Sequence, residues 1–305
     1  MMDNFLKWLM SGNHLAYASS LLTFCCLALF GLGSFIYKKY LVRKGEFFIS
    51  PTFNTKNITY MGIMIACSVS VTVVISLVAP ITVFPPIRVV FEGIMIKITG
   101  MIFGPIIGLI VGLITELLTM LFIPSFIHPA YFLVAIGFGF WAGMASFTFK
   151  LKSKQQWITI TIITLFIIAA TAFLYNTLQY LTPDENGNVK LFGIAVKKEL
   201  IPMLFIIMMG ILLSICYIMC GIFVLLKKQK WLEIILPIFL ICIVTEILIT
   251  VLTAAWGDAG LLTSNTDDGY ISMVALRVVQ IPLKIIFNTA LLATVYSVLR
   301  PLIKK

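Results

Sequence analysis

Seven ionisable side chains stand in stretches of this sequence that are otherwise apolar enough to cross a bilayer: Arg88, Glu92, Lys97, Glu116, Glu246, Arg277 and Lys284. Each costs roughly 2.5–3.5 kcal/mol at a bilayer centre, so seven facing lipid would cost on the order of 20 kcal/mol. They must turn toward a protein interior or a water-filled cavity, and some must pair. Their spacing points to one shared interior. Arg277, Gln280, Lys284 and Asn288 recur at intervals of three and four, which draws a polar stripe about 16 Å long on one helix. Arg88 and Glu92 lie one turn apart, while Lys97 is about half a rotation round the helix from Arg88. Gly104, Gly108, Gly112 and Glu116 follow at successive fours, a small-residue seam for close helix packing that ends in a carboxylate. Four basic groups against three acidic ones leave a net positive interior, which suits an anionic solute. The opposing reading is that the groups only pair with one another and hold a bundle together. Glu116, on the packing seam, fits that reading best.

The elements that must position these groups are membrane helices. The chain has 305 residues, 61% hydrophobic and 11% charged, with a mean hydropathy of +1.09. A soluble domain carries about 25% charged residues. The fold class is therefore an all-α polytopic membrane protein in a lipid bilayer. Nine spans are expected, at 15–37, 58–80, 87–103, 105–123, 129–149, 156–180, 200–226, 231–256 and 271–299. Under strict alternation, fourteen Lys and Arg residues fall in loops on one side, from Lys38 to Lys305, against Lys7, Lys190, Lys197 and Lys198 on the other. The richer side is cytoplasmic, which puts the N-terminus outside and the C-terminus inside. The net charge of +10 is thus used for orientation, and nucleic acid is not a partner. Gly104-Pro105 becomes a tight cytoplasmic turn between antiparallel spans, with glycine ending one helix and proline opening the next. The outer side receives 81–86, 124–129 and an acidic loop at 257–270. No cleavable signal peptide is expected, because 15–37 is too long and its positive charges follow it.

Much chemistry is excluded. The sequence has no Walker A stretch, no HExxH, no GxSxG and no paired aspartates of an intramembrane protease. Its two histidines, His14 and His128, are isolated, and its six cysteines all sit in apolar stretches as small filler. No metal or other cofactor is expected, and the chain does not read as an enzyme. If it moves a solute uphill, the energy comes from an ion gradient or from a partner that hydrolyses ATP.

The stretch "PPIRVVF", then "ITGMIFGPIIGLIVGLITELLTMLF", then a proline-containing loop and "FLVAIGFGFWAG", resembles the S component of energy-coupling factor (ECF) transporters, bacterial vitamin-binding membrane subunits. The folate type is the most similar. It shares an Arg-x-x-Phe start (Arg88, Phe91), an FGP turn (Phe103, Gly104, Pro105) and an Arg…Pro pattern in the final helix (Arg277, Pro282). The resemblance covers about 57–149 and 231–299. It implies a six-helix core, with helices one to four at 57–149 and five and six at 231–305. An extra N-terminal helix (1–45) and an inserted pair (150–230) bring three further spans. It also implies a vitamin bound near the outer face of the bacterial cell membrane. The partners are a transmembrane coupling subunit and two cytosolic ATPases, on which the S component docks and topples. Arg88, Glu92, Arg277, Gln280 and Lys284 then face the vitamin, and Phe126 and Tyr131 close over it. Gly62, Ala66 and Ser70, small residues spaced by four, form the docking strip. Another vitamin such as riboflavin, or a self-contained ion-coupled carrier using Glu116 and Glu246, are the alternatives.

Overall fold

A computed structural model describes residues 8–9, 11–43, 55–78, 85–122, 127–151, 155–183, 187–191, 194–262 and 266–303. The helices are α1 (His14–Arg43), α2 (Thr55–Val78), α3 (Pro85–Phe103), α4 (Pro105–Phe122), α5 (Pro129–Ala145), α6 (Gln156–Leu178), α7 (Leu200–Leu225), α8 (Gln229–Val244), α9 (Ala254–Leu262) and α10 (Thr266–Ile303). A π-helical segment, Thr245–Thr253, joins α8 to α9 in one continuous rod. Each expected span falls on helix among the described residues. Among the described residues eight helical stretches are long and apolar enough to cross a membrane. The ninth expected span is α3, whose described apolar part is the shorter Gly93–Phe103. The chain is an all-α polytopic membrane protein.

Glycine decides how the first helices meet. Gly104 has φ +94°, a backbone region that costs glycine nothing and other residues strain, and it turns α3 straight into α4. Beyond the turn, a Cβ placed on Gly108 or Gly139 would collide with the other residue's carbonyl. Gly112 lies equally hard against Ala135, and Gly143 against Pro105. The expected seam is therefore real at Gly108 and Gly112, and α5 supplies its other half, whereas Gly104 serves only the turn. Helix α2 covers α4 through Met61, Ile65 and Val69 on Ile107 and Val111.

The rod from α8 through the π segment is the centre of the molecule. Its span is 83% buried, against 28% for α6 and for α7. Helix α10 runs beside it, α3 and α5 close the other side, and α1 lies across the π segment with Leu15, Ala16, Ser19, Ser20 and Thr23 turned inward. Helices α6 and α7 pack on each other and on α8 from outside.

Two features differ from expectation. The stretch 257–270 is mostly helix: α9 continues to Leu262 and α10 begins at Thr266. Between α6 and α7 the chain forms a hairpin, β1 (Asn188–Leu191) antiparallel to β2 (Ile194–Lys197), with Val189 paired to Val196. Alternation of Val189 and Leu191 with polar neighbours is the signal for β1. Val189 is buried against the bundle, which gives the hairpin its inner face.

Candidate functional site

The π segment creates the site's backbone chemistry. Its wider winding disturbs the i→i−4 ladder and leaves carbonyls turned toward neighbours. The Thr250 carbonyl accepts from Arg277 Nη1 at 3.0 Å, and the Leu252 carbonyl accepts from the Tyr270 hydroxyl at 2.8 Å. Both donors come from α10, and both residues are fully buried. The guanidinium of Arg277 then grips Asp258 of α9 with two donors on Oδ2, Nε at 3.0 Å and Nη2 at 2.5 Å. Two donors on one carboxylate oxygen and low exposure, 1% and 3% at the two side chains, make this a desolvated and internally neutral pair.

Asp258 has a second partner. Its Oδ1 accepts from the hydroxyl of Tyr131, in the first turn of α5, at 3.1 Å. Gly257 makes room for this contact, since a Cβ there would press on the Tyr131 ring at 2.9 Å. The same end of the bundle gathers other aromatics. His128 meets Trp256 edge to face with centroids 4.7 Å apart, and Tyr17 of α1 meets Trp256 likewise at 5.2 Å. His128 is the N-cap of α5, its Nδ1 accepting from the Ala130 N–H at 3.2 Å. Partial burial pushes the His128 pKa below its usual value, in keeping with a neutral ring that accepts that bond. The arrangement gathers three aromatic rings in edge-to-face contact beside a phenol and a neutralised ion pair.

Deeper in the bundle lies a second polar group. Lys284 of α10 approaches Glu246 of the π segment at 3.6 Å. Lys97 of α3 is 1% exposed, sits over the Phe138 ring 4.4 Å from its centroid, and lies within electrostatic reach of Glu246. The expected stripe on α10 is thus present. Arg277 and Asn288 are buried, Gln280 and Lys284 half-buried, and Lys284 and Asn288 face the interior with Lys97. Buried side-chain atoms that make no hydrogen bond include Thr250 Oγ1, Asn288 Oδ1 and the Trp141 indole nitrogen. Among the described residues no three His, Cys, Asp or Glu side chains converge as a metal site would need.

The structure joins Arg277 to Tyr131 through Asp258 and pairs Lys284 with Glu246, while Gln280 is half-buried on the same helix. Phe126 lies outside the described residues. Arg88 and Glu92 are in the first turns of α3, and their side chains lie outside those described. Gly62, Ala66 and Ser70 form an exposed strip on α2. Sequence reasoning missed Asp258, Trp256 and Tyr270, all assigned to the edge of a loop or the end of a span. The available signal was an aspartate and an arginine nineteen residues apart across a helical hairpin, which places them at facing levels.

The family model described as ECF-type riboflavin transporter, S component, matches residues 52–219, from just before α2 through most of α7. No curated protein and no solved structure matches the chain. With over half its length matched, and with the glycine-sealed helices α3 to α5 inside the matched stretch, the chain belongs to the S-component family of ECF-type transporters.

Proposed function

We propose that this S component, the substrate-binding subunit of an ECF transporter, captures riboflavin or a closely similar uncharged vitamin at the end of the bundle that carries Tyr131, His128 and Trp256. The observation that carries the choice is the Arg277–Asp258 pair. A guanidinium already neutralised by a buried carboxylate has little to offer an anionic substrate, whereas a neutral ring system gains from stacking on the aromatics beside it. The printed description of the matching family, which names riboflavin, agrees with this. Arg277 then acts through Asp258 to hold Tyr131 in place. Gln280 and Lys284 supply polar contacts below the ring, and Arg88, Glu92 and Phe126 are further candidate contacts on the sequence alone. Folate is the second reading, favoured by the Arg88-x-x-Phe91 and Arg277…Pro282 patterns, with Arg88 meeting its carboxylates.

The same proposal places the N-terminus and the vitamin site outside the bacterial cell membrane and the C-terminus inside, on the distribution of basic residues. The exposed strip of Gly62, Ala66 and Ser70 is the docking face for the coupling subunit, which two ATPases energise. The segment 231–305 completes a core with α2 to α5, since its helices pack among them while α6 and α7 stay peripheral. Thermal unfolding of the detergent-purified chain with riboflavin, folate and a reduced folate tests the vitamin. Saturable stabilisation by riboflavin, with quenching of its fluorescence and loss of both in Trp256→Ala, is the expected result. Stabilisation by folate alone, lost in Arg88→Ala, establishes the second reading instead.

A further inference from the structure

Two cavities lie end to end between α6 and α7. The first, of about 600 Å³, is lined at the helix ends by Tyr175, Gln179, Lys198 and Glu199. The second, of about 360 Å³, continues along the helices between Ile167, Ile168 and Ala172 on one side and Met209, Gly210 and Leu213 on the other. Tyr175 and Ile206 line both, so the two form one groove with a polar mouth and an apolar floor. The hydroxyl on the floor, Thr171, is already committed to the Ile167 carbonyl at 2.7 Å. At the mouth Lys198 is half-buried, and its backbone N–H donates to the Gly187 carbonyl at the foot of the β-hairpin.

Length identifies the occupant. From Pro202 to Leu213 the groove follows α7 for eleven residues, about 17 Å, little more than half of a hydrocarbon core of about 30 Å. A partner's membrane helix would need a groove along all of α7, and this one stops midway. A molecule with an anionic or zwitterionic head and a tail one leaflet deep fits both chemistry and length. We propose that the α6–α7 groove is a phospholipid site, with an acyl chain on the floor and the headgroup phosphate on Lys198. Glu199 beside it leaves room for an ammonium on the same headgroup. The lipid fills the outward-facing groove between two helices whose inner faces pack on each other and on α8.

Gly210 provides a clean test, because nothing lies within 4 Å of a Cβ placed there. Gly210→Phe sends a ring into the groove from a position that is open at its Cβ, and Ala172→Leu, also at an exposed position, fills it from α6. Delipidated full-length protein is titrated with dioleoyl phosphatidylglycerol and with dioleoyl phosphatidylethanolamine, and bound lipid is counted by native mass spectrometry. The expected result is one lipid per chain, absent in Gly210→Phe and Ala172→Leu. In Lys198→Ala, binding should weaken about five-fold, the size of one basic contact to a lipid surface. Helix content and vitamin-induced stabilisation remain as in the wild type. Lipid binding unchanged by both groove-filling variants overturns the proposal. So does a wild-type chain that runs as a dimer which Gly210→Phe dissociates, since the groove then holds a second copy.

Discussion

Glycine does opposite things in two parts of this bundle. In α4 and α5, Gly108, Gly112, Gly139 and Gly143 each stand where a methyl group would strike a neighbouring backbone, so the helices touch main chain to main chain. In α7, Gly210 and Gly221 sit in the same kind of apolar helix with nothing within 4 Å of where a Cβ would go. The first set fixes a rigid block under the polar interior. The second belongs to a pair of helices exposed along most of their length, built of large apolar side chains suited to lipid. The buried ion pairs gather beside the rigid block, on the central rod and α10, and the peripheral pair offers only a groove. A glycine in a membrane helix is therefore no sign of packing until its partner is known.

The sharpest way to break this comparison is at the ion pair that the rigid side holds. Arg277→Ala leaves Asp258 buried without its cation and should destabilise by about 3–5 kcal/mol. Replacing both partners with leucine or methionine should restore most of the loss in a thermal unfolding assay, because no charge is then stranded. Next come the glycines themselves. Gly139→Ala should cost about 1–3 kcal/mol or more by overpacking against Gly108. Gly221→Ala, made where space is open, should be neutral or stabilise by up to about 1 kcal/mol through helix propensity. Equal effects in the two would show that the helices do not touch as described.

A smaller effect is expected at His128, which joins the rigid block at the cap of α5. Its folded pKa is lowered by burial, so as pH falls the unfolded chain takes up the proton first. The contribution of the neutral cap is complete above the ordinary histidine value of about 6.5 and is lost as pH falls from there toward the lowered folded value. The cap is worth about 1 kcal/mol. Melting temperature measured from pH 8 to pH 5 should decline in the wild type more than in His128→Asn, which caps without titrating. Smallest for the chain's own stability is Gly62→Phe on the open face of α2, where nothing surrounds the site. The isolated protein should melt unchanged and still bind its vitamin. In co-purification, the coupling subunit should be lost.

Much of the architecture was legible from residue order. The apolar stretches, the Gly104-Pro105 turn and the Gly108–Gly112 seam each rest on local chemistry. The turn and seam are found, and among the described residues eight of the nine stretches are helices long and apolar enough to cross. The stripe from Arg277 to Asn288 is found too, because a 3.6-residue period is a property of one helix alone. The partners on the facing helices were not legible. Asp258 was assigned to a loop because the acidic, glycine-containing run after Trp256 reads as a helix end, and the continuous rod overrides it. The π segment carries no strong sequence mark, although it exposes the carbonyls that Arg277 and Tyr270 use.

The sequence by itself determined that this chain lives in a bilayer as a set of apolar helices, and that its intramembrane charges must turn inward. Hydrophobic length and the cost of burying charge are enough for that. Which charge meets which was decided only by the tertiary structure. Glu246 could have taken Arg277, and Asp258 could have faced water. The rod's wider turn and the closeness that Gly257 allows to Tyr131 set the pairing, and such distances depend on how whole helices pack.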